Sequence, residues 1–181
     1  STRVIGGVIM THGDDDGLRL PPAIAPRQIV LVPMLRGDQK DCAILEYCDV
    51  IADRLNQATA FRLPLRACVD KKQIPSAEKR WNWVRRGVPL ILEIGQRDVA
   101  ASNVTFMRRD ALRSGEKVAA HAEPRDAFIA RAPDLLAAIQ STLHDEAKQR
   151  LTANNRRSLE RFEQVADYFG VAAEDVESHS G

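Results

Sequence analysis

The arrangement of apolar runs and helical repeats predicts an α/β fold, a mixed five-stranded sheet flanked by helices. Three observations lead to it. The strongly β-prone run Ile29 to Leu35 reads as a buried strand. Between Cys42 and Gln57, Ile44, Tyr47, Cys48, Ile51 and Leu55 recur at helical spacing. Strand-like and helix-like segments then alternate along the chain, the pattern that layers helices on a sheet.

The elements follow in order. Val4 to Met10 is apolar with little alternation and reads as a buried strand, followed by the loop Thr11 to Gly17. Pro21, Pro22 and Pro26 mark an ordered but irregular connector, and a domain boundary is placed near Ala25. Asp41 can cap the helix that starts at Cys42. Phe61 to Val69 is a second strand, and Ser76 can cap a short helix ending near Gly87. Pro89 to Ile94 and Asn103 to Arg108 are the third and fourth strands, and Gly115 to Ala120 is the fifth. From Arg125 the pattern turns helical, with Leu135, Leu136, Ile139 and Leu143 on one face and Pro133 dividing a short helix from a long one. A last helix is expected from Arg157 to Tyr168, ahead of a polar, fraying end. The chain divides into residues 1–25, 26–124 and 125–181.

Composition narrows the function. Of 181 residues, 44% are hydrophobic and 28% charged, as in globular proteins, and the net charge is only +1. Between Arg62 and Arg97, however, nine Lys/Arg face three acids, a local +6 that leaves −5 elsewhere. A basic zone on a nearly neutral chain suits a confined anionic ligand. Cys42, Cys48 and Cys68 form no CxxC pair, which argues against a zinc cluster or a disulfide framework and for reduced thiols in a cytoplasmic protein. No stretch has the apolar length of a membrane span. His12-Gly-Asp-Asp-Asp-Gly17 has consecutive aspartates rather than the alternating ligands of a calcium loop, and no metal site is expected. The glycines form neither a phosphate-binding loop nor a dinucleotide fingerprint, and no hydrolytic constellation is present.

Two stretches carry a resemblance. Ser1-Thr-Arg-Val-Ile-Gly-Gly-Val-Ile-Met-Thr-His-Gly-Asp-Asp-Asp-Gly-Leu-Arg-Leu-Pro-Pro22 resembles the third signature motif, with the following linker, of class II prolyl-tRNA synthetases of the eukaryotic/archaeal type. Val69-Asp-Lys-Lys72, Lys79, Trp83 and Gly87-Val-Pro-Leu-Ile-Leu-Glu-Ile-Gly-Gln-Arg-Asp98 resemble the tRNA-contacting segment of the anticodon-binding domain in that family. The resemblance implies the class IIa synthetase anticodon-binding fold for residues 26–124. It makes residues 1–25 the end of a catalytic domain and residues 125–181 the helical start of a C-terminal extension. It implies that the chain begins inside a catalytic domain it does not contain, and cannot activate proline alone.

The same resemblance implies functional residues. Arg3 takes the place of the arginine that grips ATP, used with Mg in the parent enzyme. The fragment itself is expected to hold no cofactor. The RNA-binding set is Asp70, Lys71, Lys72, Lys79, Trp83, Glu93 and Arg97, and the partner is the anticodon loop of proline tRNA. Other partners are the rest of the synthetase, in a homodimeric parent without membrane contact. Proline anticodons share two guanines. A carboxylate can accept from N1–H and N2–H₂ of guanine, and a cation can grip O6 and N7. Glu93, ending the third strand, and Arg97, in the loop after it, are of the right types. Asp70, Lys71 and Lys72 end the second strand and would neighbour them if the two strands pair. Lys79 and Trp83 lie four apart on one helix face, so Trp83 can stack a base or anchor the core. Lys71 and Lys72 suit phosphates. A stand-alone regulatory RNA-binding module and a metabolite- or protein-binding α/β domain are the alternatives.

Overall fold

The computed structural model describes residues 2–37, 39, 41–115 and 117–155. In chain order the elements are α1 (Arg3–His12), β1 (Ile29–Pro33), α2 (Asp41–Gln57), β2 (Thr59–Ala60), β3 (Leu63–Pro64), β4 (Ala67–Val69) and α3 (Ser76–Arg85). They continue with β5 (Leu90–Ile94), α4 (Gln96–Ala101), β6 (Asn103–Arg108), β7 (Arg113–Ser114), β8 (Lys117–Val118), β9 (His121–Pro124) and α5 (Arg125–Ala153). Residues 1–147 form one compact unit and 148–181 a second. In the second, the end of α5 is closed by Thr152 and Asn154 side chains donating to the carbonyls of Lys148 and Arg150. No helix among the described residues is long and apolar enough to cross a membrane.

The main sheet has the strand order β4-β1-β5-β6-β9. β4, β1 and β5 run parallel, and β6 and β9 complete a mixed sheet by antiparallel pairing. Every residue of β1 is buried, because both faces of the sheet are covered. Successive side chains point to opposite faces. Ile29 and Leu31 join Leu90, Leu92 and Ile94 against α2 and α5, while Val30 and Val32 join Ile91 and Met107 under Val84 and Val88 near the end of α3. The two layers therefore receive alternate residues of the same strands, and this sorting decides which polar groups can meet at the strand ends.

Five expectations are corrected. Residues 4–10 lie in a helix, not a buried strand; α1 buries no residue, and Val4, Ile5, Ile9 and Met10 are 66, 62, 52 and 82% exposed. A short apolar run fits either period, and this one has no strand beside it to pair with. The second strand is only β4. Phe61 and Arg62 adopt left-handed φ of 54° and 65°, which turns β2 back onto β3 as a tight hairpin. The fifth sheet strand is β9, while residues 113–118 form the separate β7–β8 hairpin. α3 begins after Pro75 without a side-chain cap from Ser76. Pro133 sits inside a continuous α5. A helix-interior proline costs about 3 kcal/mol. Phe128, Ile129, Ala132, Leu135, Leu136, Ile139 and Leu143 form a buried stripe along α5. At about 1.5–3 kcal/mol for each large apolar side chain, that stripe outweighs the cost of the proline. The helix expected at 157–168 lies outside the described residues.

The segment between α1 and β1 is strapped to the sheet by polar contacts. Arg66 donates from Nε to the carbonyl of Ala25 at 2.9 Å, and the fully buried Gln28 donates to the carbonyl of Pro22 at 3.0 Å, so the prolines are held by side chains. Farther upstream, Leu18 and Leu20 donate their amides to the carbonyls of Arg85 and Gly87. The approach is close enough to require glycine on both sides. A Cβ on Gly17 (φ +123°) would lie 2.7 Å from the Arg85 Cα, and one on Gly87 (φ +75°) 2.6 Å from the Leu18 carbonyl oxygen.

Two ion pairs lock this strap. Buried Arg109 grips both oxygens of Asp14 at 2.8 and 2.5 Å and donates its Nε to the carbonyl of Val84 near the end of α3. Arg113 holds Asp16 in the same two-pronged way at 2.8 and 2.5 Å. Partial burial pushes the Asp14 carboxyl up, but the Arg109 hydrogen bond and charge outweigh it and hold the group below its ordinary range. The Arg113 hydrogen bond likewise depresses Asp16.

A carboxyl depressed by folding contributes stability above its unfolded pKa and loses it as pH falls through the folded value. Asp14→Ala should therefore destabilise the chain by about 1–2 kcal/mol at pH 7, the water-facing side of Asp14 keeping the figure modest. The gap to the parent should begin to narrow below roughly pH 4 and vanish only below the depressed folded pKa. Urea melts of both proteins across pH 2–7 check this, and a gap independent of pH would contradict it.

Candidate nucleic-acid interface

β4, β1 and β5 run parallel, so all three end at one edge, and the chain leaves them there at Asp70, Met34 and Gly95. Asp70 extends the β4–β1 ladder by one residue, its amide donating to the carbonyl of Leu31 at 2.9 Å. Its side chain lies on the α3 side with that of Cys68 and is only 7% exposed. The carboxylate accepts from Trp83 Nε1 at 2.7 Å and from the Lys72 amide at 3.1 Å. The Asp70 carbonyl accepts from Lys79 Nζ at 3.1 Å. Lys79 and Trp83, one helical turn apart on α3, thus converge on the same residue.

Lys79 is 1% exposed, a charged group among the largest fully buried side chains described. A buried ammonium is stable only with acceptors around it. Among the described residues the Asp70 carbonyl accepts from it, and the group borders a cavity of about 390 Å³ lined also by Leu35, Asp41, Lys72, Ile74 and Pro75. Trp83 packs against the core under α3, and the Arg86 guanidinium lies 4.9 Å from its ring centre. Its indole is an anchor with its N–H engaged, rather than an open stacking surface.

Glu93 sits on β5 opposite Val32 and Thr105, on the same face as Ile91 and hence under α3. Its partner is Arg80, whose Nη1 lies 3.2 and 3.3 Å from the two carboxylate oxygens. Glu93 and Arg97, expected side by side at the strand end, do not meet. Arg97 is not in a loop either; it opens the short helix α4, whose Val99 packs on the opposite core. The sheet therefore separates Glu93 and Arg97 by layer. Arg97 is exposed, makes no hydrogen bond or ion pair among the described residues, and borders two open cavities of about 400 and 450 Å³. α4 is fixed by Asp98, which accepts from the Gly95 amide at 2.9 Å and from Thr105 Oγ1 at 2.8 Å.

The second and third expected strands do not pair, because β1 lies between β4 and β5. Asp70 and Glu93 are therefore two strand spacings apart, roughly 10 Å. Lys71 leaves the row and pairs with Asp49 of α2 at 2.8 Å, both groups being well exposed. Lys72 stays at the cavity edge. Arg3 lies at the start of α1, away from this row in sequence and element.

Sequence reasoning missed Arg80, Trp81 and Arg113. The Arg80 and Arg113 guanidiniums lie 5.7 and 5.5 Å from the Trp81 ring centre, and Arg113 continues to Asp16. Strand alternation was the usable signal: it puts Glu93 on the face that α3 covers, where Arg80 is the cation within reach.

A mixed sheet with buried charges and open cavities at the ends of its parallel strands defines an α/β module built to receive a polar ligand at that edge. The chain belongs to the anticodon binding domain family, whose model matches residues 28–124. It is 45% identical over 170 residues to the proline–tRNA ligase of Sphingomonas elodea, covering 93% of this chain and 33% of that protein. It is 52% identical over 161 residues to the proline–tRNA ligase of Sphingopyxis alaskensis, covering 88% and 30%. It superposes on a crystal structure of prolyl-tRNA synthetase from Cryptosporidium parvum complexed with L-proline and AMP, with a TM-score of 0.77 and 29% identity, over 92% of this chain and 32% of that one. The chain thus spans about a third of the length of the relatives it matches.

Proposed function

We propose that this chain is the anticodon-reading part of a proline–tRNA ligase, in which it selects proline tRNA for an enzyme that joins proline to it with ATP and Mg. The observation that carries the reading is the row Asp70, Lys79 and Glu93 on the α3 side of the strand ends, inside the segment that matches the anticodon binding family.

Anticodon bases are unstacked and offer their edges to protein groups. Glu93 is suited to accept from N1–H and N2–H₂ of one guanine. Arg97, on the other layer, is suited to grip O6 and N7 of the second guanine, so the two residues read different bases. Lys79 presents a cation to a base carbonyl entering its cavity, held in place by Asp70, while Trp83 secures α3. Lys72 meets phosphate. Lys71 can do so only by leaving Asp49.

The remainder of the chain fits the same reading. Residues 1–25 close the catalytic domain, 26–124 read the anticodon and 125–181 begin a C-terminal extension. Arg3, at the exposed start of α1, would bring its fixed positive charge to the ATP phosphates. The exposed apolar side chains Val4, Ile5, Ile9 and Met10 would be covered by the rest of the synthetase, which works as a cytoplasmic homodimer.

Filter binding tests this with labelled proline tRNA and a copy in which one anticodon guanine is replaced. Each good base contact discriminates by about 1–3 kcal/mol, so the parent chain should prefer the unaltered tRNA by about 5- to 150-fold. Glu93→Gln and Arg97→Ala should each erase selectivity at one guanine and leave it at the other. Unchanged selectivity in both would remove them from the site, and no tRNA binding would favour a metabolite or protein ligand.

Lys72→Ala should weaken binding evenly across anticodons and lower the slope of log affinity against log salt by about 1. A loss confined to one anticodon would contradict a phosphate contact.

A further inference from the structure

Arg80 occupies the group that is proposed to read a base. Its guanidinium touches both oxygens of Glu93, and the geometry is poor for a charged pair. One nitrogen is shared between the two oxygens at 3.2 and 3.3 Å, against about 2.7–2.9 Å and two parallel bonds in a well-made pair. The Arg80 Nε is buried with no hydrogen-bond partner among the described residues. An arginine built only to hold the sheet to the helix would satisfy that nitrogen. The two side chains are 25 and 16% exposed, so neither is sealed from an incoming ligand.

Guanine contains a guanidine fragment, N1–C2(N2)–N3, and its N1–H and N2–H₂ form a planar pair of donors. That pair matches a carboxylate as a guanidinium does, but with two separate nitrogens on two oxygens. We propose that Arg80 is a gate on affinity: a built-in stand-in that covers Glu93 and competes with guanine until a guanine edge displaces it. An adenine or a pyrimidine, lacking that donor pair, leaves the Arg80 contact in place, so breaking the pair costs guanine binding alone. Once displaced, the guanidinium has somewhere to rest, because it already lies 5.7 Å from the Trp81 ring centre. Arg113 lies 5.5 Å from the same ring, and its own charge is met by Asp16, so a second cation at the ring remains compensated.

This inference rests on the reading of Glu93 as the acceptor of a guanine, and the test separates the two. Dissociation constants are measured for the parent chain, Arg80→Gln, Glu93→Gln and the double variant, with an anticodon stem-loop of proline tRNA. A second stem-loop carries adenine in place of the guanine at the position where Glu93→Gln alters selectivity. Loss of one positive charge weakens both RNAs alike, so the ratio of the two affinities is the readout. Arg80→Gln keeps the length and polarity of the side chain, and a melt shows that it is folded; Arg80→Met, equally long and without donors, repeats the measurement.

With the gate removed, guanine binding no longer competes with the ion pair. An ion pair of this exposure shifts an equilibrium by about two- to fivefold, so the guanine/adenine ratio should rise by that factor in both Arg80 variants. It should not rise in the double variant. A ratio that falls in the Arg80 variants would make Arg80 an RNA contact, and an unchanged ratio would make it a structural pair; either result overturns the gate. If Glu93→Gln alters selectivity at neither guanine, the base-reading role fails first.

Discussion

The buried carboxylate of Asp70 is the interaction on which the binding edge depends. Its amide prolongs the β4–β1 ladder, its side chain fixes the Trp83 indole and the turn at Lys72, and its carbonyl takes the Lys79 ammonium. One residue therefore ties α3 to the end of a strand and sets the position of a fully buried cation. Low polarity around the pair makes this arrangement stiff, because any unmade bond would leave a charge or a dipole without water. Parallel pairing of β4, β1 and β5 then puts Glu93 on the same layer, so a row of charges faces one edge without having to be ordered by a ligand.

The far end of α3 carries a different constraint. Arg109 joins the Val84 carbonyl to Asp14, and the glycines at 17 and 87 let the strap lie directly against the end of α3 and its turn. Asp16, Arg113, Trp81, Arg80 and Glu93 form a continuous chain of charge and ring contacts from that strap to the strand end. The basic zone between Arg62 and Arg97 is consequently less available than its net charge suggests. Arg66 closes the proline connector, Lys71 meets Asp49, Arg80 meets Glu93 and Arg86 covers Trp83.

Much of the fold could be read from sequence wherever burial imposed a period. β6 has the expected limits, and β1, α2 and β5 differ from expectation by no more than two residues, because each is packed on a face that its apolar spacing declares. Misreadings fall where tertiary context decides. The apolar run of α1 fits two periods, two left-handed residues at 61–62 cut a β-prone stretch, and the stripe of α5 overrides Pro133. At the site, residue types and their neighbourhood in sequence were legible, and the convergence of Lys79 and Trp83 follows from helical spacing. Partners were not. Glu93 and Arg97 are four apart in sequence, yet the strand ends and a helix begins between them, which sends them to opposite layers. The true partner, Arg80, comes from an element thirteen residues away.

The central claim is that Asp70 holds the edge in its binding form before any RNA arrives. Its most direct measurement is the affinity of Asp70→Asn for the proline anticodon stem-loop, alongside the two Trp indole N–H resonances of the free protein. Asn keeps an acceptor but lacks the charge, so the Trp83 resonance should move while the chain stays folded, and affinity should drop about tenfold. A variant that shows the moved resonance but binds as tightly as the parent would contradict the claim.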